Sequence, residues 1–201
     1  HSKTRIGKLL CINGAGIQYR WLLDNLDITS YEEMNQLGTT VPIGSEGLVL
    51  LPFGNGAERM LHNKEVGTQL LDLNLTIHTK AHLCRAALEG IAFAFVYGLE
   101  IMKSDGLNPS VIRAGNDNLF QSKIFSTTIT SLINKEIEIY DTTGAVGAAR
   151  ACALFKGELD SLRAFTVNDH IATYRPMKAT KDYRTAYNRW KEKLELQLKY
   201  Y

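Results

Sequence analysis

The stretch from Thr79 to about Ser104 constrains this chain most. It carries Leu83, Ala87, Ile91, Ala94, Phe95, Tyr97 and Leu99 at helical spacing and is apolar on almost every side. A helix without a polar face cannot lie on a surface, so other elements must wrap it. Gly106, Asn108 and Pro109 terminate it. At 201 residues and 45% hydrophobic composition, the chain can build one sizeable core around such a helix, and one domain is expected over 1–201.

The wrapping elements read as strand–turn–helix units. Leu9 to Ile12 is a short apolar strand that ends at Asn13-Gly14-Ala15-Gly16, and Ile17, Trp21, Leu22 and Leu26 follow at helical period. Ser30 with Glu33 three residues on makes a capping box for a helix to Leu37, closed by Gly38. Gly47 to Pro52 reads as a buried strand, followed by the loop Phe53 to Arg59. Leu71, Leu73 and Leu75 alternate with Asp72 and Asn74 as in a half-buried strand. Beyond the long helix come a strand at 110–114, a turn at Gly115 to Asn118 and a helix from Phe120 to Ile133. A strand at Glu136 to Tyr140 precedes a small-residue helix from Thr142 to Lys156. Residues 157–178 read as irregular and peripheral. A last helix, from Lys181 to Tyr200, puts Tyr183, Tyr187, Trp190 and Leu194 on one face.

Several functions are disfavoured. A net charge of +2 lacks the basic bias of a nucleic-acid binder, and the Lys/Arg-rich tail from Lys178 is interleaved with acids as on a solvated helix. No apolar run approaches a membrane span of about 20 residues. The opening His1-Ser2-Lys3-Thr4-Arg5 has no signal core and no Met, and reads as a fragment boundary. Cys11, Cys84 and Cys152 are isolated in apolar surroundings, which suits reduced thiols in a cytoplasmic compartment and gives no zinc spacing. His78 and His82 sit four apart, with no third ligand in view.

Chemistry concentrates in the turns. Asn13 to Gln18 and Ala114 to Ser122 each join a strand to a helix through Gly or Asn, which allow close backbone approach, and a helix start offers free N–H groups to phosphate. Neither turn matches the dinucleotide-binding or P-loop pattern. In the loop Gly54 to Arg59, which holds Glu58 and Arg59, the arginine can meet phosphate, but a surface or structural ion pair is the ordinary reading. Tight helix–sheet packing is the ordinary reading of Gly144-Ala145-Val146-Gly147-Ala148-Ala149.

In order, these segments resemble the C-terminal domain of FGGY carbohydrate kinases, most closely the xylulose kinase branch. The matching pieces are Asn13 to Gln18 with Trp21 to Leu26, Gly47 to Pro52 with Gly56 to Arg59, and Arg85-Ala86-Ala87-Leu88-Glu89-Gly90-Ile91-Ala92-Phe93, followed by Ile112 to Ser122 and Gly144 to Ala149. They cover about residues 8–157. The resemblance implies an α/β, actin-like (ribonuclease H-like) domain, a mixed sheet flanked by helices, that binds ATP. It implies phosphate contacts at Gly14 and Gln18, and nucleotide contacts at Gly115, Asn118 and Ser122. Asp117-Asn118-Leu119 replaces the family's glycines, with Asn118 able to supply their left-handed backbone.

The resemblance also implies a catalytic Asp in a G-D motif and a second phosphate loop. Neither occurs here, so both are expected upstream of His1 with an N-terminal sugar-binding domain. No residue of this chain is assigned catalysis, Asp24 is read as structural, and the chain alone is expected to be inactive. Mg²⁺ would sit on the nucleotide phosphates. The expected partners are that sugar domain and a small sugar, with no nucleic acid and no membrane, and a homodimer is left open. The acceptor would be a ketopentose such as xylulose. Glycerol, gluconate and deoxy-sugars are the alternatives, as is a non-catalytic actin-like nucleotide switch.

Overall fold

A computed structural model describes residues 7–153 and 167–201. The helices are α1 (Ala15–Asn25), α2 (Tyr31–Thr39), α3 (Lys80–Ser104), α4 (Lys123–Ile133), α5 (Gly144–Ala153) and α6 (Thr180–Gln197). The strands are β1 (Val49–Phe53), β2 (Gly67–Leu71), β3 (Ile112–Gly115), β4 (Ile137–Tyr140) and β5 (His170–Tyr174). They form two sheets. β1 and β2 are an antiparallel pair, with Val49 opposite Leu71. In the other sheet β4 is central, parallel to β3 and antiparallel to β5.

α3 is the axle of the core. Thr79 caps it, and the His82 ring accepts the Thr79 N–H in return at 3.1 Å. Every residue from Cys84 to Ala94 is buried. Gly90 explains how β1 comes so close, since a Cβ there would lie 2.2 Å from the Leu50 carbonyl oxygen. The same oxygen accepts the Trp190 indole N–H at 3.0 Å. All five residues of β1 are buried, as a strand covered on both faces requires. The expected face of α6 (Tyr183, Tyr187, Trp190, Leu194) is buried in the same core.

The charged pair of the Arg85–Phe93 segment is a staple. Arg85 Nε donates to Glu89 Oε1 at 2.7 Å, and both side chains are buried. The Arg85 guanidinium also reaches the carbonyls of Gly38 and Val41 at 3.3 Å, while Glu89 Oε2 accepts the Gly44 N–H at 2.9 Å. The pair thereby ties the chain after α2 to the core helix. That chain includes four consecutive residues with positive φ, Gly44 (80°), Ser45 (47°), Glu46 (51°) and Gly47 (99°). Three of them are held in place by α3: Glu89 takes Gly44, the Ser45 hydroxyl donates to the His82 carbonyl, and Glu46 meets His82 Nε2 at 2.8 Å. His82 is thus occupied on both ring nitrogens as a structural residue, and His78 takes the Asn74 N–H.

Some elements differ from expectation. Leu9 to Ile12 forms no strand. β2 ends at Leu71 because Asp72 turns into the left-handed region (φ 59°), which leaves Leu73 and Leu75 exposed. Of residues 157–178, 157–166 lie outside the described residues, and the remainder is not wholly irregular: it holds β5, an edge strand whose outer residues are exposed and so show little apolar alternation. α4 begins three residues late, after a short 3-10 turn. The small-residue helix α5 is largely exposed, and a Cβ on Gly144 or Gly147 would meet nothing within 4 Å among the described residues, so tight packing against the sheet is overturned. Its expected last turn, 154–156, lies outside the described residues.

Candidate nucleotide-binding site

The first turn is built by a close approach. Gly14 is the residue before α1, and a Cβ on it would lie 2.0 Å from the Pro52 carbonyl oxygen at the end of β1. Only glycine brings the start of α1 this near the hairpin. Two stitches fix it there. The Asn13 side-chain amide donates to the Ala57 carbonyl at 2.8 Å, and the Glu58 carboxylate accepts the backbone N–H groups of Asn13 (2.8 Å) and Gly14 (2.9 Å). Glu58 is fully buried. The expected ion pair is therefore replaced by a carboxylate that holds backbone, and Arg59 is exposed.

α1 turns Ala15, Gln18, Tyr19 and Leu22 inward. Ile17 and Trp21 face out instead, Trp21 being 59% exposed. They border a cavity of about 390 Å³ with Gly14, Gln18, Gly54, Gly67 and Thr68. Gln18 is 4% exposed, and neither its amide nitrogen nor its amide oxygen has a hydrogen-bond partner among the described residues. A buried amide left unpaired costs roughly 1–3 kcal/mol, so a polar ligand would relieve a real penalty there. Asp24 pairs with Arg20 at 2.9 Å on the exposed side of α1, in keeping with its structural reading.

The second turn follows β3. A Cβ on Gly115 would lie 2.5 Å from the Thr142 carbonyl oxygen, and the Asn116 N–H donates to the Tyr140 carbonyl at 2.8 Å. Asn118 opens a short 3-10 helix, Asn118–Gln121, in place of a glycine bend. Ser122 caps α4 by accepting the Phe125 N–H at 3.2 Å. It borders a second cavity of about 290 Å³ with Tyr19, Tyr31, Asn35, Gln121 and Lys123. Tyr19 and Tyr31 stack at 4.8 Å, and Asn35 donates to the Tyr19 hydroxyl at 2.9 Å. Burial pushes the Tyr19 hydroxyl well above the ordinary phenol range, so it stays neutral.

Gly14 and Gln18 thus share one cavity, and Ser122 borders the other. Gly115 borders neither of them. Gln18 and Tyr19, neighbours on α1, border one cavity each. Glu58, Tyr31, Asn35 and Thr68 escape a sequence reading because each joins the site from another element. Among the described residues, no group of three His, Cys, Asp or Glu could hold a metal ion, and no helix is long and apolar enough to cross a membrane.

The two sheets around the α3 axle form a mixed α/β domain with the actin-like fold. Solved structures share it: a ligand-bound xylulose kinase from Lactobacillus acidophilus superposes with a TM-score of 0.74 at 22% identity, over 90% of this chain and 37% of that one. The glycerol kinase of Plasmodium falciparum with ADP gives 0.74 at 21% identity, over 92% of this chain and 37% of that one. In sequence, the chain is 30% identical over 188 residues to the xylulose kinase of Haemophilus influenzae, covering 90% of this chain and 38% of that protein. It is 27% identical over 192 residues to the gluconokinase of Bacillus subtilis, covering 87% and 37%. No family model matches. The homologues of this chain are FGGY carbohydrate kinases: xylulose, gluconate and glycerol kinases. The chain spans little more than a third of the length of these relatives (38% and 37% of the two named), which fits a C-terminal domain.

Proposed function

We propose that this chain is the nucleotide-binding C-terminal half of a carbohydrate kinase that transfers the γ-phosphoryl group of ATP to a sugar hydroxyl, with xylulose as the acceptor. The observation that carries the reading is Gln18, buried with both amide atoms unpartnered on a cavity at the start of α1. A helix start presents N–H groups and positive potential to phosphate, and an adjacent amide can both donate and accept. Gly14 and Gln18 would meet the phosphates. Ser122 would meet the nucleoside in the second cavity, and Gly115 and Asn118 would do so from the turn that leads to it. Likeness to a glycerol kinase solved with ADP supports the same nucleotide.

Mg²⁺ would be carried on the β- and γ-phosphates, where it neutralises developing charge. The described residues present no cluster to hold it without them. The base that takes the hydroxyl proton, the other phosphate loop and the sugar pocket would come from the preceding part of the polypeptide. This half therefore binds nucleotide and turns over no sugar.

The test is a coupled ATP-consumption assay of the full-length protein over xylulose, gluconate, glycerol and deoxy-sugars, with the 201-residue chain alongside. Xylulose-dependent turnover by the full-length protein and none by the chain is the expected result. Turnover with another acceptor moves the substrate within the family, turnover by the chain alone refutes the division of labour, and turnover with none supports a nucleotide-binding module.

A further inference from the structure

We propose that Glu58 is a positioning residue for the nucleotide phosphates: its carboxylate takes the two N–H groups just ahead of α1 and so presents the next three to an anion. The proposal rests on the nucleotide reading above and adds to it a residue which that reading did not contain.

The geometry is specific. Gly14 precedes α1 without any side-chain cap of its own, and the first turn of α1 carries no acid. Glu58, 44 residues away in sequence, supplies the missing cap, with Oε1 on the Gly14 N–H at 2.9 Å and Oε2 on the Asn13 N–H at 2.8 Å. The first hydrogen bond within the helix is Gln18 N–H to the Gly14 carbonyl, at 2.9 Å. The N–H groups of Ala15, Gly16 and Ile17 therefore have no acceptor within the helix. Of these residues Ile17 lines the cavity, together with Gly14 and the unpartnered amide of Gln18.

Glu58 is itself held rigidly. Its N–H donates to the Lys64 carbonyl at 3.0 Å, and its carbonyl accepts from Leu61 and Asn63, both at 2.9 Å. The Asn55 amide adds a further tie to the Asn13 carbonyl at 3.3 Å. Turn and loop thus form one unit, with the carboxylate as its pin.

Other roles suit this carboxylate less well. Fully buried with both oxygens engaged, it is out of reach of a substrate proton. It has no cation within salt-bridge distance among the described residues, so it is not half of an ion pair. A buried charge without a counter-ion is costly unless hydrogen-bonded, and here the backbone N–H groups and the positive end of α1 supply that compensation. The arrangement divides the helix end: two N–H groups are satisfied permanently from inside, and three are left for a ligand.

The experiment titrates the 201-residue chain and its Glu58→Gln variant with ADP and with adenosine by calorimetry. The wild type is expected to bind ADP more tightly than adenosine. In Glu58→Gln an NH₂ group replaces one acceptor and faces a backbone N–H, so the turn shifts. ADP affinity should fall about tenfold to a hundredfold, the effect of one charge-assisted hydrogen bond, with adenosine affinity unchanged. Glu58→Asp keeps the charge with a shorter reach and should give an intermediate ratio; it carries the test if Glu58→Gln does not fold. An ADP-to-adenosine ratio unchanged from wild type, or equal losses for both ligands, reduces Glu58 to a structural residue and overturns the proposal. A wild type without preference for ADP fails differently: it removes the phosphate reading itself, and the role of Glu58 with it.

Discussion

Replacing Gly90 with alanine tests the packing of α3 on β1. On a solvent-exposed helix this change stabilises by about 1 kcal/mol through helix propensity. Here the added Cβ would lie 2.2 Å from the Leu50 carbonyl oxygen, whereas real Cβ contacts essentially never fall under 3.0 Å. The obstacle is backbone, so helix and strand must part by about 1 Å, an overpacking strain of about 1–3 kcal/mol. The same shift disturbs the Trp190–Leu50 hydrogen bond, worth about 0.5–1.5 kcal/mol more. Packing outweighs propensity, and the net destabilisation should be about 1–3 kcal/mol. Urea unfolding followed by Trp fluorescence measures it. Gly98→Ala is the control: its Cβ would lie 2.3 Å from a Leu10 methyl, which a rotamer change can move, so near-neutral stability is expected. Gly90→Ala at or above wild-type stability would refute the account of this contact.

Two further predictions concern buried chemistry. Arg85→Met strands the buried Glu89 carboxylate and should cost about 3–5 kcal/mol, with Arg85→Met/Glu89→Leu less damaging than the single change, measured as a double-mutant cycle in urea. Cys84 is buried, and desolvation pushes its thiol up to about 11, so iodoacetamide at pH 8 should label exposed Cys152 first and spare Cys84 until the chain unfolds. The unfolded thiol ionises more readily than the folded one. The stability gained by burying it neutral is therefore complete at low pH and drains away as pH rises from about 9 toward 11, which a series of unfolding midpoints would detect.

Elements carried by local periodicity were legible in the sequence. The α3 run, the Ser30 cap, the β1 run and the Tyr183–Leu194 face of α6 each stand on their own spacing. What escaped was decided elsewhere in the molecule. Leu73 and Leu75 continue an apolar alternation, yet one left-handed residue, Asp72, ends the strand. β5 is an edge strand that depends on β4 rather than on its own pattern. Ile17 and Trp21 have core-like spacing but border a cavity, while polar Gln18 takes the inner position. The glycine turns could be found because Gly and Asn mark tight backbone. Glu58 could not, because its role needs a contact across more than forty residues (Asn13 and Gly14 to Glu58).

The central claim is that nucleotide sits astride the start of α1. The most direct measurement is a ¹⁵N–¹H correlation spectrum of the 201-residue chain titrated with Mg²⁺·ADP. The account predicts saturable shifts at the amides of Ala15 to Gln18, together with the Gln18 side-chain amide and Ser122. Absence of binding, or shifts that spare α1 and cluster around Lys103, Lys135 and Arg184 on the cleft at the far end of α3, would contradict it.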